Sequence, residues 1–340
     1  MALKIAMFGD IRLSARNYAR RYQTAFEMLQ PDIFTPKLPA KNGEWNKIED
    51  AIATSDLLIL NRTLLNNQLY TSGVPSSQLG DTREKIERLI TETKREDAIV
   101  ESGGFGTIRE LHDLYDEQGI PNVRRMIVGL WACKPFFPVV IKECPSSCGE
   151  KIQLARNQAD LAEIQLEKKD PFRIYASRFV ECPSDYHAHI RVLTVGDNIL
   201  ASRLNYSKLG KEEDLKRGNI ASNVSELNVG VPLYMQPHHN PNHTPVQRHV
   251  LEAHHIVDQK IPSDICTSTQ KLTKITNQTG TFFSGIDYIL NPISQRFEVL
   301  EVNSLPMTGA IQDTHSLSNY EAEVFLGTSI AHEVTRHLRR

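Results

Sequence analysis

At 340 residues the chain has room for two or three subdomains around substantial cores, and 40% hydrophobic with 24% charged residues is the balance of an ordinary globular protein. A net charge of −2 argues against a surface built for polyanions, so no nucleic-acid partner is expected, and no stretch approaches the roughly 18 apolar residues that cross a bilayer. Five cysteines, an odd number in a chain of this length, argue against a disulfide framework.

The first ten residues place Lys4 and Asp10 around a short apolar run that reads as a buried first strand rather than a secretory leader, so a cytoplasmic protein without membrane contact is the expectation. Ser14 to Met28 follows as a helix with Ser14 as N-cap, and Asp56 to Leu60 as a second buried strand. Arg16 and Arg20 share one face of that helix. The face reads as solvated or, near the ligand-binding end of an open sheet, as a hold for an anionic substrate. Arg83 to Lys94 reads as a charged helix, Ala98 to Val100 as a third strand, and Gly106 to Gln118 as a helix closed by Gly119 and Pro121. Strands alternating with helices predict an α/β region with an open parallel sheet. The glycines between Ser102 and Gly106 match neither nucleotide-loop signature and read as a plain strand-to-helix turn.

From Pro138 the pattern changes to strands joined by hairpins. Pro138 to Glu143 is a strand carrying Lys142. The small-residue loop from Cys144 to Lys151, with Ser146, Ser147 and Gly149, can bring backbone N–H groups to phosphate oxygens beside that positive charge. Cys144 and Cys148 have no second close pair to complete a zinc site. His189 to Tyr206 is two strands around a Gly-Asp-Asn turn, and a turn centred near Asp197 sets Arg191 opposite Arg203. Two opposed arginines repel unless an anion lies between them or acids flank them. The histidines at 238, 239 and 243, and at 249, 254 and 255, lack metal-ligand spacing and read as a polar loop and a helix surface.

Gly285 to Pro306 carries the most chemistry. A hairpin turned near Ser294 sets Asp287 opposite Glu301, and Asn303 shares the face of Glu301 because strand side chains alternate. Opposed carboxylates ask for a cation. Three oxygen donors without sulfur or imidazole suit Mg²⁺, or Mn²⁺, holding substrate phosphates. A carboxylate pair that needs a cation and an arginine pair that needs an anion together describe a site for magnesium and a polyphosphate.

In this order the motifs resemble those of the ATP-grasp carboxylate–amine ligases, in the branch similar to the ribosomal-protein glutamate ligase and glutathione synthetase, over roughly residues 98 to 311. The resemblance implies an α/β (α+β) chain: an N-terminal open parallel-sheet domain over 1–97, then an ATP-grasp fold of two α+β subdomains, 98–177 with the lysine strand and phosphate loop, and 178–340 with the metal site. It implies Lys142 and the Ser146, Ser147, Gly149 loop on the phosphates, Phe179-Val180-Glu181 as the adenine hinge with Glu181 on ribose, Arg191 at the phosphates and the acyl phosphate with Arg203 beside it, and Asp287, Glu301 and Asn303 on the metal. Two departures stand out: His189 replaces the usual Asp, and Arg109 or Lys134 stands for the first ATP-binding lysine. The implied activity is ATP-dependent amide formation between a small-molecule or peptide carboxylate and an amine, releasing ADP and phosphate, in a chain whose base-rate assembly is a homodimer. An ATP-binding regulatory protein without ligation, and a nucleotide-independent scaffold, are the alternative readings.

Overall fold

A computed structural model of the chain describes residues 3–8, 18–35, 44–61, 81–82, 84–86, 88–89, 92, 98–101, 114–123, 125–127, 137–143, 152–164, 174–181, 184–208, 229–278, 283–303 and 308–339. Its first region is a parallel sheet. β1 (Lys4–Phe8) is followed by α1 (Tyr18–Leu29), β2 (Asp32–Phe34), α2 (Trp45–Thr54), β3 (Leu57–Asn61) and β4 (Ala98–Glu101), and the strands lie in the order β2-β1-β3-β4. Near-continuous apolar runs such as Ile5 to Phe8 suit a parallel strand covered on both faces. The sheet takes in Ala98–Glu101, beyond the expected boundary at residue 97. Helical residues fall within 81–92 and at 114–117, and Gly119 ends the latter with a φ of 61°. Ser14, Arg16 and the 102–106 turn lie outside the described residues.

The middle region is an antiparallel sheet in the order β5-β8-β6-β7, formed by β5 (Arg125–Ile127), β6 (Val139–Glu143), β7 (Ile152–Ala155) and β8 (Ile174–Arg178), with α3 (Gln158–Glu163) after β7. Asn157 caps α3 by accepting from the backbone N–H groups of Ala159 and Asp160.

The last region is a five-stranded antiparallel sheet, β11-β10-β9-β12-β13, of β9 (Tyr186–Val195), β10 (Asn198–Lys208), β11 (Val229–Leu233), β12 (Phe283–Asn291) and β13 (Arg296–Asn303). Between β11 and β12 run α4 (Pro245–Ala253) and α5 (Ser263–Gln278), and after β13 come α6 (Gly309–His315) and α7 (Asn319–His337). Capping boxes start α4 at Thr244 with Gln247 and α7 at Ser318 with Glu321. One face of the sheet packs through Ile190, Val192, Leu204, Ile286 and Tyr288 onto Leu272 and Ile275 of α5. At one end of the opposite face Leu193, Val195, Ala201 and Phe283 join α7 and α1 in a second core, which leaves the middle of that face for polar residues. Among the described residues no helix is long and apolar enough to cross a membrane.

Candidate active site

Four charged residues lie in one row across adjacent strands. Arg203 of β10 is paired with Arg191 of β9, Arg191 with Asp287 of β12, and Asp287 with Glu301 of β13. Directly opposed residues share a sheet face, so the row reads plus, plus, minus, minus across the sheet.

The register that makes this row depends on two bulges. The first hairpin turns tightly on Gly196 and Asp197, with Asn198 paired to Val195; Leu200 is then an extra residue that shifts the pairing by one and brings Arg203 opposite Arg191. The second turns on residues 292–295, with Asn291 paired to Arg296, and Leu300 is the extra residue that brings Glu301 opposite Asp287. Without the bulges a one-residue slip would send Arg203 and Glu301 to the other face. Asn291 shapes its turn by accepting from the backbone N–H of Ile293 at 3.0 Å.

The charges are matched locally. Arg191 clamps Asp287 with a two-pronged fork, Nε to Oδ1 and Nη2 to Oδ2, both at 2.7 Å. Asn303 Nδ2 donates to Asp287 Oδ2 at 3.1 Å. Lys142 reaches over from the middle sheet and donates to Glu301 Oε2 at 3.3 Å, so both sheets contribute to the site. Burial works against the Arg191 charge, but Asp287 and Glu301 outweigh it and raise its pKa. His189, two residues earlier on the same face of β9, contacts Asn205 Nδ2 at 3.1 Å and lies 4.0 Å from Asp287. Burial above all, with Arg191 and Arg203 adding to it, overrides the pull of Asp287 and Glu301 and lowers its pKa. His189 therefore stands in the row's neighbourhood as a neutral group.

Arg203 has a different partner: its Nε lies 2.9 Å from Asp313 Oδ2 on α6. The guanidinium crosses Gly230 of β11 so closely that a Cβ there would overlap Arg203 Nε. Burial lowers the Arg203 pKa and raises that of Asp313, with each opposing the shift of the other. The opposed arginines are thus relieved by flanking acids, one on each side. Sequence reasoning missed Asp313 and Gly230, which are brought in by a helix and an edge strand far along the chain.

The segment Phe179-Val180-Glu181 leaves β8 beside this face. Phe179 N–H donates to Pro138 O at 3.0 Å, Val180 is buried with Val123 and Ile289, and Glu181 is exposed. Ile289 lies two positions along β12 from Asp287, and Arg178, just before the segment, donates to Glu298 of β13 at 2.8 Å. Arg109, Lys134, Ser146, Ser147 and Gly149 lie outside the described residues. Of the histidines read as a helix surface, His254 is instead buried, its Nδ1 at 2.8 Å from Val250 O, because it caps α4 against the core. His238 lies against Tyr234 with the two rings tilted and their centroids 4.3 Å apart. Arg20 lies over the Tyr320 ring at 5.0 Å, away from the row.

Among the described residues no cluster of three His, Cys, Asp or Glu side chains gathers as a metal site. The donors at hand are the Asp287 and Glu301 carboxylates with the Asn303 amide, an all-oxygen set that fits a hard divalent cation such as Mg²⁺.

Residues 131–229 match the family described as the RimK-like ATP-grasp domain. Among solved structures, the chain is similar to the ATP-grasp ligase PsnB complexed with precursor peptide PsnA2 and AMPPNP, with a TM-score of 0.56 at 9% identity over 100% of this chain and 99% of that one. PsnB with minimal precursor, Mg and ADP gives 0.54 at 8% identity over 99% and 98%. D-cycloserine synthetase DcsG gives 0.52 at 9% identity over 97% and 99%. No curated protein matches the chain in sequence. At these identities the solved structures speak for the fold alone: the chain shares the fold of these ATP-grasp ligases, and within it residues 131–229 match the RimK-like ATP-grasp domain.

Proposed function

We propose that the chain is an ATP- and Mg²⁺-dependent carbon–nitrogen ligase that activates a carboxylate as an acyl phosphate and couples it to an amine. The observation that carries this reading is the row Arg203, Arg191, Asp287, Glu301, met by Lys142 from the facing sheet. Three cationic side chains beside two carboxylates and an amide suit a nucleoside triphosphate and its metal, and the fold is one shared by ligases.

In the reaction, a substrate carboxylate oxygen bonds to the γ-phosphorus as the bond to the ADP oxygen breaks. Lys142 and Arg191 balance charge on the phosphoryl oxygens while this happens. Asp287, Glu301 and Asn303 would hold the Mg²⁺, which when bound supplies Lewis-acid neutralisation of the phosphate oxygens. The amine nitrogen then attacks the acyl carbon, phosphate leaves with the oxygen it bonded to, and the amine proton goes to solvent. Phe179 to Glu181, with Val180 seated in the apolar cluster beside Ile289, would line the adenine end. Arg109 or Lys134, and the backbone at Ser146, Ser147 and Gly149, would complete the phosphate grip. The acid is a small molecule or a peptide carboxylate; PsnB, solved with its precursor peptide, makes peptides worth including.

The test is ADP and phosphate release with Mg·ATP against pooled amino acids and short peptides, with Glu301→Gln alongside. Wild type should show acid- and amine-stimulated release, lost by at least about a hundredfold in the variant. Equal turnover in the two would sink the assignment of Glu301. Binding of AMPPNP without stimulated release would favour a regulatory nucleotide-binding protein.

A further inference from the structure

The carboxylates and the cations of this site hold one another. Arg191 takes both oxygens of Asp287 at 2.7 Å, and Lys142 takes Glu301 at 3.3 Å. Two positive and two negative charges are thereby compensated within the protein, in a setting where Asp287 is only 5% exposed. Resting on the nucleotide reading above, we propose that Arg191 is an internal counter-ion for Asp287 whose release couples cation and polyphosphate binding: the site takes metal and nucleotide together by exchanging partners, and takes either one alone poorly.

The argument is one of charge balance. A cation at Asp287 competes with Arg191, whose fork already uses both carboxylate oxygens. Binding that cation alone leaves the largely buried Arg191 guanidinium, opposite Arg203, without its carboxylate partner. A polyphosphate on Arg191 and Lys142 alone draws those two cations away from Asp287 and Glu301, like charges that face each other on adjacent strands. An unpaired buried charge is costly, whichever its sign. When both ligands arrive, each side chain trades one opposite charge for another and neither cost remains. Such coupling is reciprocal: the metal tightens the nucleotide by the factor by which the nucleotide tightens the metal. Lys142 extends the exchange to the other sheet, because its pair with Glu301 joins β6 to β13.

The decisive experiment titrates Mn²⁺ alone, followed by the free-ion EPR signal, into wild type, Arg191→Met and Arg203→Met, and separately measures Mg·AMPPNP binding by calorimetry. Arg191→Met should bind Mn²⁺ alone about tenfold tighter than wild type while binding Mg·AMPPNP at least about tenfold more weakly, since the same side chain competes with one ligand and holds the other. Arg203→Met removes the same charge one strand away without touching Asp287, and should tighten Mn²⁺ by less than about threefold. If Arg191→Met does not fold, Arg191→Lys keeps the charge but loses the fork, and should shift both affinities in the same directions by a smaller factor. Unchanged or weaker Mn²⁺ binding in the Arg191 variants, or equal tightening from Arg203→Met, overturns the exchange while leaving the nucleotide reading standing. Failure of wild type to take Mg·AMPPNP overturns both.

Discussion

Two arginine–carboxylate forks in this molecule use the same chemistry and are built to different ends. Arg21 of α1 and Glu323 of α7 meet 302 residues apart in sequence, at 2.8 and 3.1 Å, with side-chain exposures of 1% and 4%. Their surroundings are closed. Thr308 donates to Glu323 at 3.2 Å, the Phe283 ring covers the guanidinium at 5.1 Å, and Gly327 lets α7 approach so near that a Cβ would overlap the Arg21 carbonyl oxygen. Arg191 and Asp287 sit instead in an open row, with side-chain exposures of 21% and 7%, and with Glu301, Lys142, His189 and Arg203 as further charged or titratable neighbours. A closed fork fixes where α1 docks on α7. An open one offers each partner somewhere else to go.

The largest expected effect tests the closed fork. Glu323→Ala should cost about 3–5 kcal/mol in urea unfolding, because it strands a buried guanidinium, whereas Arg21→Met combined with Glu323→Leu should recover most of that loss. Mg·AMPPNP should raise the unfolding midpoint of the double variant by as much as it raises that of wild type. A smaller nucleotide shift would mean that the two forks are coupled, and the contrast between them would fail. Arg191→Met, by comparison, should cost only about 1–3 kcal/mol, since its partner keeps the Asn303 hydrogen bond and part of the pair is in water.

A smaller effect sharpens the contrast at Arg203. Gly230→Ala places a methyl group on the guanidinium and should destabilise by about 1–3 kcal/mol. In an Arg203→Ala background that cost should nearly vanish, as a double-mutant cycle would read directly. Additive costs would show that Gly230 serves the strand rather than the arginine.

Much of the open row was legible in the sequence, and little of the closed fork. Hairpins are local, so Asp287 against Glu301 and Arg191 against Arg203 follow from a turn position and alternation. Even so, the turns centre half a residue before Asp197 and Ser294, and bulges at Leu200 and Leu300 restore the pairing. The expected carboxylate and arginine pairs are therefore present through a different register. The union of the two hairpins into one row, by pairing β9 with β12, is non-local and carries no local sequence signal. Nor do Asp313 on α6 and Gly230 on β11, whose roles appear only once tertiary packing sets them against Arg203. Helical spacing in the sequence singles out Arg16 and Arg20, while the buried arginine of α1 is Arg21, chosen by which face meets α7.

The last contrast concerns a third way of burying a titratable group, which is to keep it uncharged. His187 lies on the Arg191 face of β9, with its ring 6.2 Å from that of His189. Burial, aided by the nearby His189 and His254, lowers its pKa from 6.5 to about 4. The unfolded chain therefore takes up this proton near pH 6.5 while the folded one waits until about pH 4. Between those values the unfolded state binds more protons, so stability falls as pH falls, and below about 4 the loss from this group is complete. At about 1.4 kcal/mol per pKa unit, the displacement from 6.5 to about 4 corresponds to a penalty of about 3 kcal/mol. Urea midpoints of wild type and His187→Gln, followed from pH 7 to pH 4, should diverge, with wild type losing more. His189 and His254 are shifted in the same direction and will leave a residual slope in the variant. Parallel curves would mean that His187 meets its proton in the folded state as readily as in the unfolded one, and that the far end of this strand face is as open to charge as the row beside it.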